Sequence, residues 1–356
     1  MRAWVVERPA PIESRPLQLR ELPQPSPAAD ELLVKVRVCA LCRTDLHVAE
    51  GDLPQKLPAI VPGHQVVGEV VSAGSGVRPP APGARVGIAW LQRTDGTCRY
   101  CRSGRENLCE HAAFTGWSVN GGYAEYATVP ARFAYPLPEG FSDESAAPLL
   151  CAGIIGYRAL RLTGLNAAAA AGANPASAGN PDWSGVRLGL YGFGAAAHIA
   201  IQLARARGAE VYVCTRDRER HQALAAELGA AWVGDAAAAP PVPLDASIIF
   251  APAGELVPPA LEALAPGGAL VLGGIHMSPI PSLPYPLLYR ERVVRTVANN
   301  TRQDGMDFLA EAARVPVRTR VTRFNFGQLP EALIALKHDG FAGAGLLRVA
   351  DAEPAD

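Results

Sequence analysis

Val186-Arg-Leu-Gly-Leu-Tyr-Gly-Phe-Gly-Ala-Ala-Ala197 is the stretch of sequence that decides the fold. An apolar strand runs into a Gly-Phe-Gly turn and then into an alanine-rich helix. Gly192 permits the tight turn, Gly194 lets the backbone approach a pyrophosphate, and Ala197 allows close helix packing. The diphosphate would rest on the helix N-terminus. A lone glycine motif also fits an ordinary strand-to-helix turn, but the flanking pattern favours a dinucleotide site.

The segments after this turn alternate between strand and helix. Strands are predicted at 186–191, 210–214, 246–250 and 269–273, and helices at 195–207, 218–228 and 256–265. This alternation predicts an α/β unit with a doubly wound parallel sheet. Up to about residue 150 the pattern is instead one of short strands and turns, including 31–38, 66–72 and 84–89. The stretch 166–185 is rich in Ala, Gly, Asn, Pro and Ser, which predicts a flexible insertion.

Composition excludes several classes of protein. The chain has 356 residues, 49% of them hydrophobic, which suits two domains with substantial cores. The net charge of −1 and the lack of a basic run argue against nucleic acid and membrane as partners. No apolar run is long enough for a membrane span, and no signal peptide is recognisable. We expect a cytoplasmic protein, in which seven cysteines are metal ligands or core residues rather than disulfides.

Three widely spaced residues suit a catalytic zinc site: Cys42, His64 and Cys151. Two thiolates and an imidazole are three ligands of a tetrahedral Zn²⁺, and the fourth position stays open for substrate. Taken singly, each residue is more often a buried core residue. Their neighbours favour the functional reading. Thr44 and His47 can form a hydroxyl-to-imidazole proton relay, and Asp45 can orient a ligand histidine.

A second cluster of possible metal ligands comprises Asp95, Cys98, Cys101 and Cys109. Closely spaced thiols in a loop rich in Gly and Arg indicate a structural zinc, with Asp95 as the fourth ligand. The alternatives are His111 as the fourth ligand, or a lobe without metal.

The end of the second dinucleotide-binding strand indicates the cofactor. An NAD site usually has an acidic residue there for the ribose 2′-hydroxyl. This chain has Thr215, followed by Arg216 and Arg218, which suits the 2′-phosphate of NADP(H). Alternatively, both arginines are solvated residues at the start of a helix, with Asp217 as its N-cap.

Taken together, these motifs resemble the zinc-dependent alcohol dehydrogenases of the medium-chain dehydrogenase/reductase superfamily. The resemblance runs over nearly the full length and includes Leu-Tyr-Gly-Phe-Gly at the phosphate loop and Gly-Ile-His-Met-Ser at 274–278. It implies a GroES-like, mostly-β catalytic domain (1–155) interrupted by a Rossmann domain (156–295) and completed by 296–356. It also implies a homodimer or homotetramer.

The resemblance assigns roles to individual residues. Cys42, His64 and Cys151 would hold catalytic zinc, with Asp45 supporting His64. Thr44 would bind the substrate oxygen and His47 would end the proton relay. Arg43 would contact the pyrophosphate, and Trp90 would line the substrate pocket and favour small or slender alcohols. The chain departs from the family at three positions: Gln65 replaces a usual glutamate, Asp95 a usual cysteine, and Gly345 a usual arginine.

The sequence thus predicts an NAD(P)-dependent alcohol dehydrogenase and aldehyde reductase. Hydride would pass reversibly between an alcohol and NAD(P)⁺ through a zinc-bound alkoxide. Two other functions are compatible with parts of the pattern. One is a zinc-independent enone or quinone reductase on the same fold, and the other is a non-enzymatic redox sensor that binds zinc and a dinucleotide.

Overall fold

The computed structural model describes residues 1–166, 181–315 and 317–349. The chain divides into two compact units. The first comprises Met1–Cys151, Asn299–Ala313 and the chain from Arg318 onward, and the second comprises Ala152–Ala298 with Arg314–Val317. The predicted flexible insertion at 166–185 falls mostly on 167–180, which lie outside the described residues.

Seventeen strands lie among the described residues and are numbered in chain order. They are β1 (Arg2–Val6), β2 (Leu17–Glu21), β3 (Glu31–Ala40), β4 (Val66–Ala73), β5 (Arg85–Ile88), β6 (Leu91–Arg93), β7 (Ala113–Phe114), β8 (Tyr126–Pro130), β9 (Ala134–Pro136), β10 (Arg187–Tyr191), β11 (Glu210–Cys214), β12 (Trp232–Gly234), β13 (Leu244–Ile249), β14 (Leu264–Leu272), β15 (Val293–Thr296), β16 (Val321–Asn325) and β17 (Ala344–Arg348).

The α-helices among the described residues are numbered in the same way. They are α1 (Arg43–Glu50), α2 (Arg99–Arg102), α3 (Asp143–Ala146), α4 (Ala152–Leu162), α5 (Ala195–Ala206), α6 (Ala223–Glu227), α7 (Val257–Glu262), α8 (Arg302–Arg314) and α9 (Leu329–Lys337). Short 3-10 turns join several of them, including Ala147–Leu150, Gly254–Leu256 and Tyr285–Leu287.

The first unit is built on a mixed seven-stranded sheet. Its order is β16-β17-β3-β4-β5-β9, and β8 also pairs with β3. In β3 the alternate residues Leu32, Val34 and Val36 are buried in one core cluster, as the two-residue period of a strand requires. Two-stranded sheets, β1-β2 and β6-β7, complete the unit.

The second unit is a six-stranded parallel sheet in the order β12-β11-β10-β13-β14-β15. Strand order reverses between β10 and β13, and in such sheets the ligand binds beyond the carboxyl ends of the strands at this point. The glycine turn at 192–194 follows β10 directly and therefore lies at this reversal. The predicted α/β fold class, a GroES-like domain with a Rossmann domain, is confirmed.

The helix predicted at 218–228 differs in form from the expectation. It begins as a π-helical turn, Arg218–Gln222, and becomes α-helical only in α6. Asp217 precedes it with φ +60°, an uncommon conformation for a residue with a side chain, and its carboxylate accepts from the Arg220 backbone N–H at 2.9 Å. Asp217 therefore caps the helix, as the alternative interpretation of the sequence required.

Among the described residues, no helix combines the length and apolar character that crossing a membrane demands.

Candidate functional site

Cys42, His64 and Cys151, far apart in sequence, meet in the first unit. Cys42 is the N-cap residue of α1, His64 lies two residues before β4, and Cys151 follows the 3-10 turn Ala147–Leu150. One ligand atom from each lies within 4.8 Å of the others. Two sulfurs and one ring nitrogen at this spacing can surround a single tetrahedral zinc ion.

His64 has the orientation that a metal ligand needs. Its side chain is 1% exposed, and its Nδ1 lies 2.9 Å from Asp45 Oδ1. Nε2 points the other way and lies 3.3 Å from Cys151 Sγ. A carboxylate on Nδ1 fixes the ring and its tautomer, so that Nε2 is free to bind a metal.

Asp45 connects several parts of this cluster. One oxygen accepts from Cys42 N–H (2.8 Å) and Tyr123 Oη–H (2.6 Å), and the other contacts His64 and Gly63 N–H (3.3 Å). Gly63 has φ +94°, and a Cβ there would lie 2.7 Å from the Tyr123 ring. The sequence predicted the contact between Asp45 and His64. It gave no indication of Tyr123, which is 78 residues from Asp45.

The electrostatics of the cluster favour a bound cation. Burial lowers the pKa of His64, but the charges of Asp45 and Cys42 outweigh burial and raise that pKa to about 10. The pKa of Cys42 falls well below its usual value because the Cys151 thiol donates a hydrogen bond to the Cys42 sulfur. The same hydrogen bond raises the pKa of Cys151 well above its usual value. A site that stabilises positive charge on a buried ring and a thiolate beside it matches the donor set of Zn²⁺.

Thr44 and His47 extend from the cluster along α1. Thr44 Oγ1 lies 3.6 Å from Cys42 Sγ, and the residue is 8% exposed. His47 is three residues further, on the same helix face, and its Nδ1 lies 2.8 Å from Asp52 Oδ2. The two predicted relay residues are therefore on one side of α1, and Asp52 is an addition that the sequence did not suggest.

Trp90 stands beside the cluster in an aromatic group. Its ring packs edgewise against His64, with centroids 5.0 Å apart, and it stacks on Phe114 and Trp117 at 5.2 and 5.9 Å. Its Nε1–H donates to Asn299 Oδ1 at 2.8 Å. Asn299 fixes the tilt of the indole, although it is 209 residues away in sequence.

Asp95, Cys98, Cys101 and Cys109 form the second cluster, with their ligand atoms within 4.8 Å of one another. Asp95 Oδ1 accepts from the backbone N–H groups of Thr97 and Cys98 at 2.8 and 3.0 Å. These bonds hold the pKa of Asp95 well below its usual value, so the group is a carboxylate at neutral pH. His111, the alternative ligand, is exposed and lies outside this group of described residues.

The predicted phosphate loop has the geometry that its sequence suggested. Gly192 has φ +84°, and a Cβ there would come within 2.9 Å of Ala251. Gly194 is the N-cap of α5 and has open space where a Cβ would project. Ala197 is fully buried in α5. The helix N-terminus is therefore accessible to a diphosphate close to the backbone.

The residues after β11 bear on the choice of cofactor. Thr215 is buried (4% exposed) directly after the strand, and Arg216 is exposed beside it. Asp217, the nearest acidic residue, pairs with Arg220 at 2.6 Å in addition to capping the helix. The carboxylate that follows β11 is thus already paired.

Arg43, predicted to contact the pyrophosphate, pairs with Asp339 at 2.7 Å in this structure. Gly345, which replaces a usual arginine, lies in β17 with Leu41 Cδ1 2.4 Å from where its Cβ would be. A side chain at 345 would therefore require rearrangement. Gln65 is buried, 2% exposed, next to His64.

Two family models match the chain in sequence. Residues 28–139 match the alcohol dehydrogenase GroES-like domain, and residues 195–314 match the zinc-binding dehydrogenase domain. The chain is 50% identical over 355 residues to the protein named "Probable alcohol dehydrogenase AdhA" of Mycobacterium tuberculosis, covering 98% of this chain and 97% of that one. It is 34% identical over 339 residues to an alcohol dehydrogenase of Geobacillus stearothermophilus, covering 90% and 91% of the two chains.

Solved structures show the same similarity. A cinnamyl alcohol dehydrogenase from Sorghum bicolor superposes with a TM-score of 0.85 at 26% identity, covering 100% of this chain and 99% of that one. A protein of Sinorhizobium meliloti 1021, assigned as a zinc-binding dehydrogenase and solved with NADP bound, has a TM-score of 0.80 at 26% identity and 98% coverage of both chains.

Proposed function

The chain belongs to the zinc-dependent alcohol dehydrogenases of the medium-chain dehydrogenase/reductase superfamily, and from that premise we propose that Cys42, His64 and Cys151 hold its catalytic zinc. The protein is an oxidoreductase that interconverts alcohols and carbonyl compounds with zinc and a nicotinamide cofactor. We further propose that residues 1–155 and 296–356 form the catalytic domain and 156–295 the cofactor domain.

The observation that carries the zinc assignment is the geometry of the trio. Three suitable donor atoms lie within 4.8 Å, and Asp45 holds His64 so that Nε2 faces the sulfurs. When bound, zinc supplies Lewis acidity toward an alcohol oxygen, and the nicotinamide supplies the capacity to take a hydride. An open three-ligand set is what a catalytic, rather than structural, zinc requires.

Thr44 and His47 handle the proton of the alcohol. The Thr44 hydroxyl is mostly buried beside Cys42 and can accept a hydrogen bond from a substrate hydroxyl. His47 lies one helical turn further and can take the proton as a general base. The alcohol thus loses its proton to the protein while its carbon is held for oxidation.

The two alternative functions, a zinc-independent reductase and a redox sensor, do not account for all of these site residues. A zinc-independent enone reductase has no use for the trio, and a redox sensor has no use for Thr44 and His47. Metal analysis combined with assays on alcohols and quinones distinguishes these three candidate functions. We expect two zinc ions per chain and turnover of alcohols; quinone turnover by metal-free protein would contradict the assignment.

We propose that NADP(H) is preferred over NAD(H). The position that usually carries an acid after β11 holds Thr215, and Asp217 is paired with Arg220. A dianionic 2′-phosphate near Arg216 gains charge-assisted hydrogen bonds that a ribose hydroxyl does not. This preference would make aldehyde reduction the main direction in cells.

Arg216→Ala tests this preference. Because a hydrogen bond to a charged group contributes roughly 1.5–3 kcal/mol, we expect the KM for NADPH to rise about tenfold or more, with little change for NADH. Initial rates with both cofactors, on a short panel of aliphatic, allylic and aromatic aldehydes, measure the effect. Arg187→Ala, an exposed arginine at the start of β10, serves as the control. An equal effect of Arg216→Ala on NADH would argue against a 2′-phosphate contact.

We propose that Asp95, Cys98, Cys101 and Cys109 bind a structural zinc. Asp95→Asn separates the role of Asp95 as a hydrogen-bond acceptor from its role as a zinc ligand. An amide oxygen still accepts hydrogen bonds from the Thr97 and Cys98 N–H groups, but it is a poorer zinc ligand than a carboxylate. We expect zinc content to fall from two ions to about one per chain and the melting temperature to drop by several degrees, while Asp95→Cys retains two. Metal analysis and thermal unfolding check this; Asp95→Asn retaining two tightly held ions would exclude Asp95 as a ligand.

Trp90 supports a proposal on substrate size. Its ring stands within 5.0 Å of His64 and is backed by Phe114 and Trp117, so it occupies space that a bulky substrate near the metal would need. We propose that small or slender alcohols and aldehydes are favoured.

We propose that the enzyme is a homodimer or a homotetramer. The edge strand β15 pairs only with β14 among the described strands, and exposed apolar side chains cluster near it in sequence: Ile275, Ile280, Tyr285, Tyr289 and Val293. Such a surface is typical of an interface between copies. We also propose a cytoplasmic location, because all seven cysteines are free thiols and five of them belong to the two clusters.

A further inference from the structure

A single arginine on β3 links the three segments that carry the proposed ligands of the catalytic zinc. Arg37 Nη2 pairs with Glu69 Oε2 on β4, and Arg37 Nη1 lies 3.3 Å from Asp143 Oδ2 at the start of α3. Neither the sequence motifs nor the family resemblance assigned Arg37 a role. We propose that Arg37 is a positioning residue that holds these segments at the spacing that the catalytic zinc needs. This inference rests on the proposed zinc site.

Each partner in this group stands on a segment that leads to one of the ligands. β3, which carries the arginine, ends two residues before Cys42. β4 carries Glu69 and begins two residues after His64. Asp143 is the first residue of α3, and the 3-10 turn that follows α3 ends directly before Cys151. One guanidinium therefore joins the three parts of the chain whose relative placement sets the geometry of the trio.

Arg37 is also the extra residue of a β-bulge. Val36 is paired with Gly68 of β4. Val38 is paired with Val67, the next residue of β4, so Arg37 lies between two successive pairs of that ladder. A shift of one residue turns the following side chains to the opposite face of the sheet, and bulges are common beside active sites for this reason. The ion pairs of the Arg37 side chain thus fix β3 at the point that decides how it approaches the first ligand.

The third segment is packed firmly against the sheet. Asp143 Oδ1 accepts from Arg85 Nε of β5 at 2.5 Å. Further along the turn, Leu150 is fully buried, and a Cβ on Gly87 would lie 2.5 Å from its Cδ2. Leu150 therefore packs directly on the backbone of β5, immediately before the third ligand. The bond from Arg37 to Asp143 ties this packed turn to β3 and β4.

A guanidinium suits this position because its planar fork presents N–H groups in two directions, one for each carboxylate. The Arg37 side chain is 43% exposed and that of Asp143 22%, so the ion pairs contribute modestly to the stability of the fold. The metal is more sensitive, because distances between zinc and its ligands vary by only about 0.2 Å. Small movements among the three segments should therefore loosen the zinc before they unfold the protein.

The rate at which zinc is lost to a chromogenic chelator, followed well below the melting temperature, tests the inference. The wild type should release zinc in two phases, and the phase that is absent from Cys42→Ser belongs to the catalytic site. We expect Arg37→Gln to accelerate this catalytic phase about fivefold or more and to leave the other phase unchanged. As zinc is lost, kcat should fall with little change in the KM of the alcohol, and added Zn²⁺ should restore it.

Arg93→Gln is the matched control. Arg93 is 37% exposed and also pairs with two carboxylates, Asp30 and Glu31, each at 2.9 Å. It lies on β6, which leads to the second cluster rather than to the trio, so the catalytic phase should keep its wild-type rate. Glu69→Gln removes one of the two Arg37 pairs and should accelerate that phase less than Arg37→Gln does. In the double variant it should add little to the effect of Arg37→Gln.

The outcomes separate this inference from the zinc assignment on which it rests. A wild type that binds no zinc at the trio overturns both. A wild type with two zinc ions, together with an Arg37→Gln variant that releases the catalytic ion at the wild-type rate, overturns the inference alone. Equal acceleration of both phases, or a kcat that added zinc does not restore, shows a general loss of stability and also overturns it. Thermal unfolding shows whether each variant is folded, and Glu69→Gln provides the test if Arg37→Gln is not.

Discussion

Cys42→Ser is expected to lower kcat/KM for alcohol oxidation by at least about 10³-fold. A metal that stabilises developing charge contributes several kcal/mol to the reaction, and each 1.36 kcal/mol corresponds to a factor of ten in rate. A serine hydroxyl is a far poorer zinc ligand than a thiolate, so we expect the trio to lose its ion and zinc content to fall from two to one per chain. Binding of NADPH, measured by fluorescence titration, should change little because the phosphate loop lies in the other unit.

Cys39→Ala is the matched control for this experiment. Cys39 is a fully buried thiol three residues earlier, and it lies outside both ligand clusters of the described chain. Its loss should cost some stability but leave both zinc ions and most of the activity. Near-normal turnover by zinc-depleted Cys42→Ser would refute the proposed mechanism.

Asp45→Asn is expected to have the second largest effect, a drop of about 10- to 100-fold in affinity for the catalytic zinc. The carboxylate accepts from Cys42 N–H and Tyr123 Oη–H and holds His64 Nδ1. An amide has the same shape but lacks the charge that favours a cation beside it. Competition with a chromogenic chelator measures the affinity, and alcohol turnover should fall in parallel.

Tyr123→Phe provides the comparison for Asp45→Asn. It removes a single hydrogen bond to the same carboxylate, of roughly 1.5–3 kcal/mol, and leaves the charge in place. We expect it to lower thermal stability more than zinc affinity. If both variants weaken zinc binding equally, the packing around Asp45 matters rather than its charge.

The second unit was the more predictable part of the fold. β11 occupies the predicted residues, and α5 differs from its prediction by one residue at its C-terminal end, because the strand and helix periods differ clearly there. The helix expected at 218–228 shows where local pattern is insufficient. Its first turn is π-helical, and the left-handed backbone of Asp217 that initiates it has no sequence signature apart from a capping residue.

In the site, the sequence could supply candidate ligands but not their convergence. Cys42 and Asp45 are neighbours in one helical turn, so their contact follows from α1 alone. His64 and Cys151 reach them only through the fold of the sheet and the turns around it. Tyr123 and Asn299 could not be predicted, because side-chain hydrogen bonds spanning 78 and 209 residues leave no periodicity in the sequence.

The hydrogen bond between Trp90 and Asn299 has a consequence for redesigning substrate range. Asn299 has φ +56° and is the first residue of the chain's return to the first unit. Its side-chain amide also donates to the Asn107 carbonyl at 3.3 Å. The Asn299 side chain therefore connects the Trp90 indole both to the segment around Asn107 and to its own segment. Replacing Trp90 alone with a smaller residue would leave Asn299 Oδ1 without its hydrogen-bond donor. Libraries meant to admit bulkier alcohols should therefore vary positions 90 and 299 together.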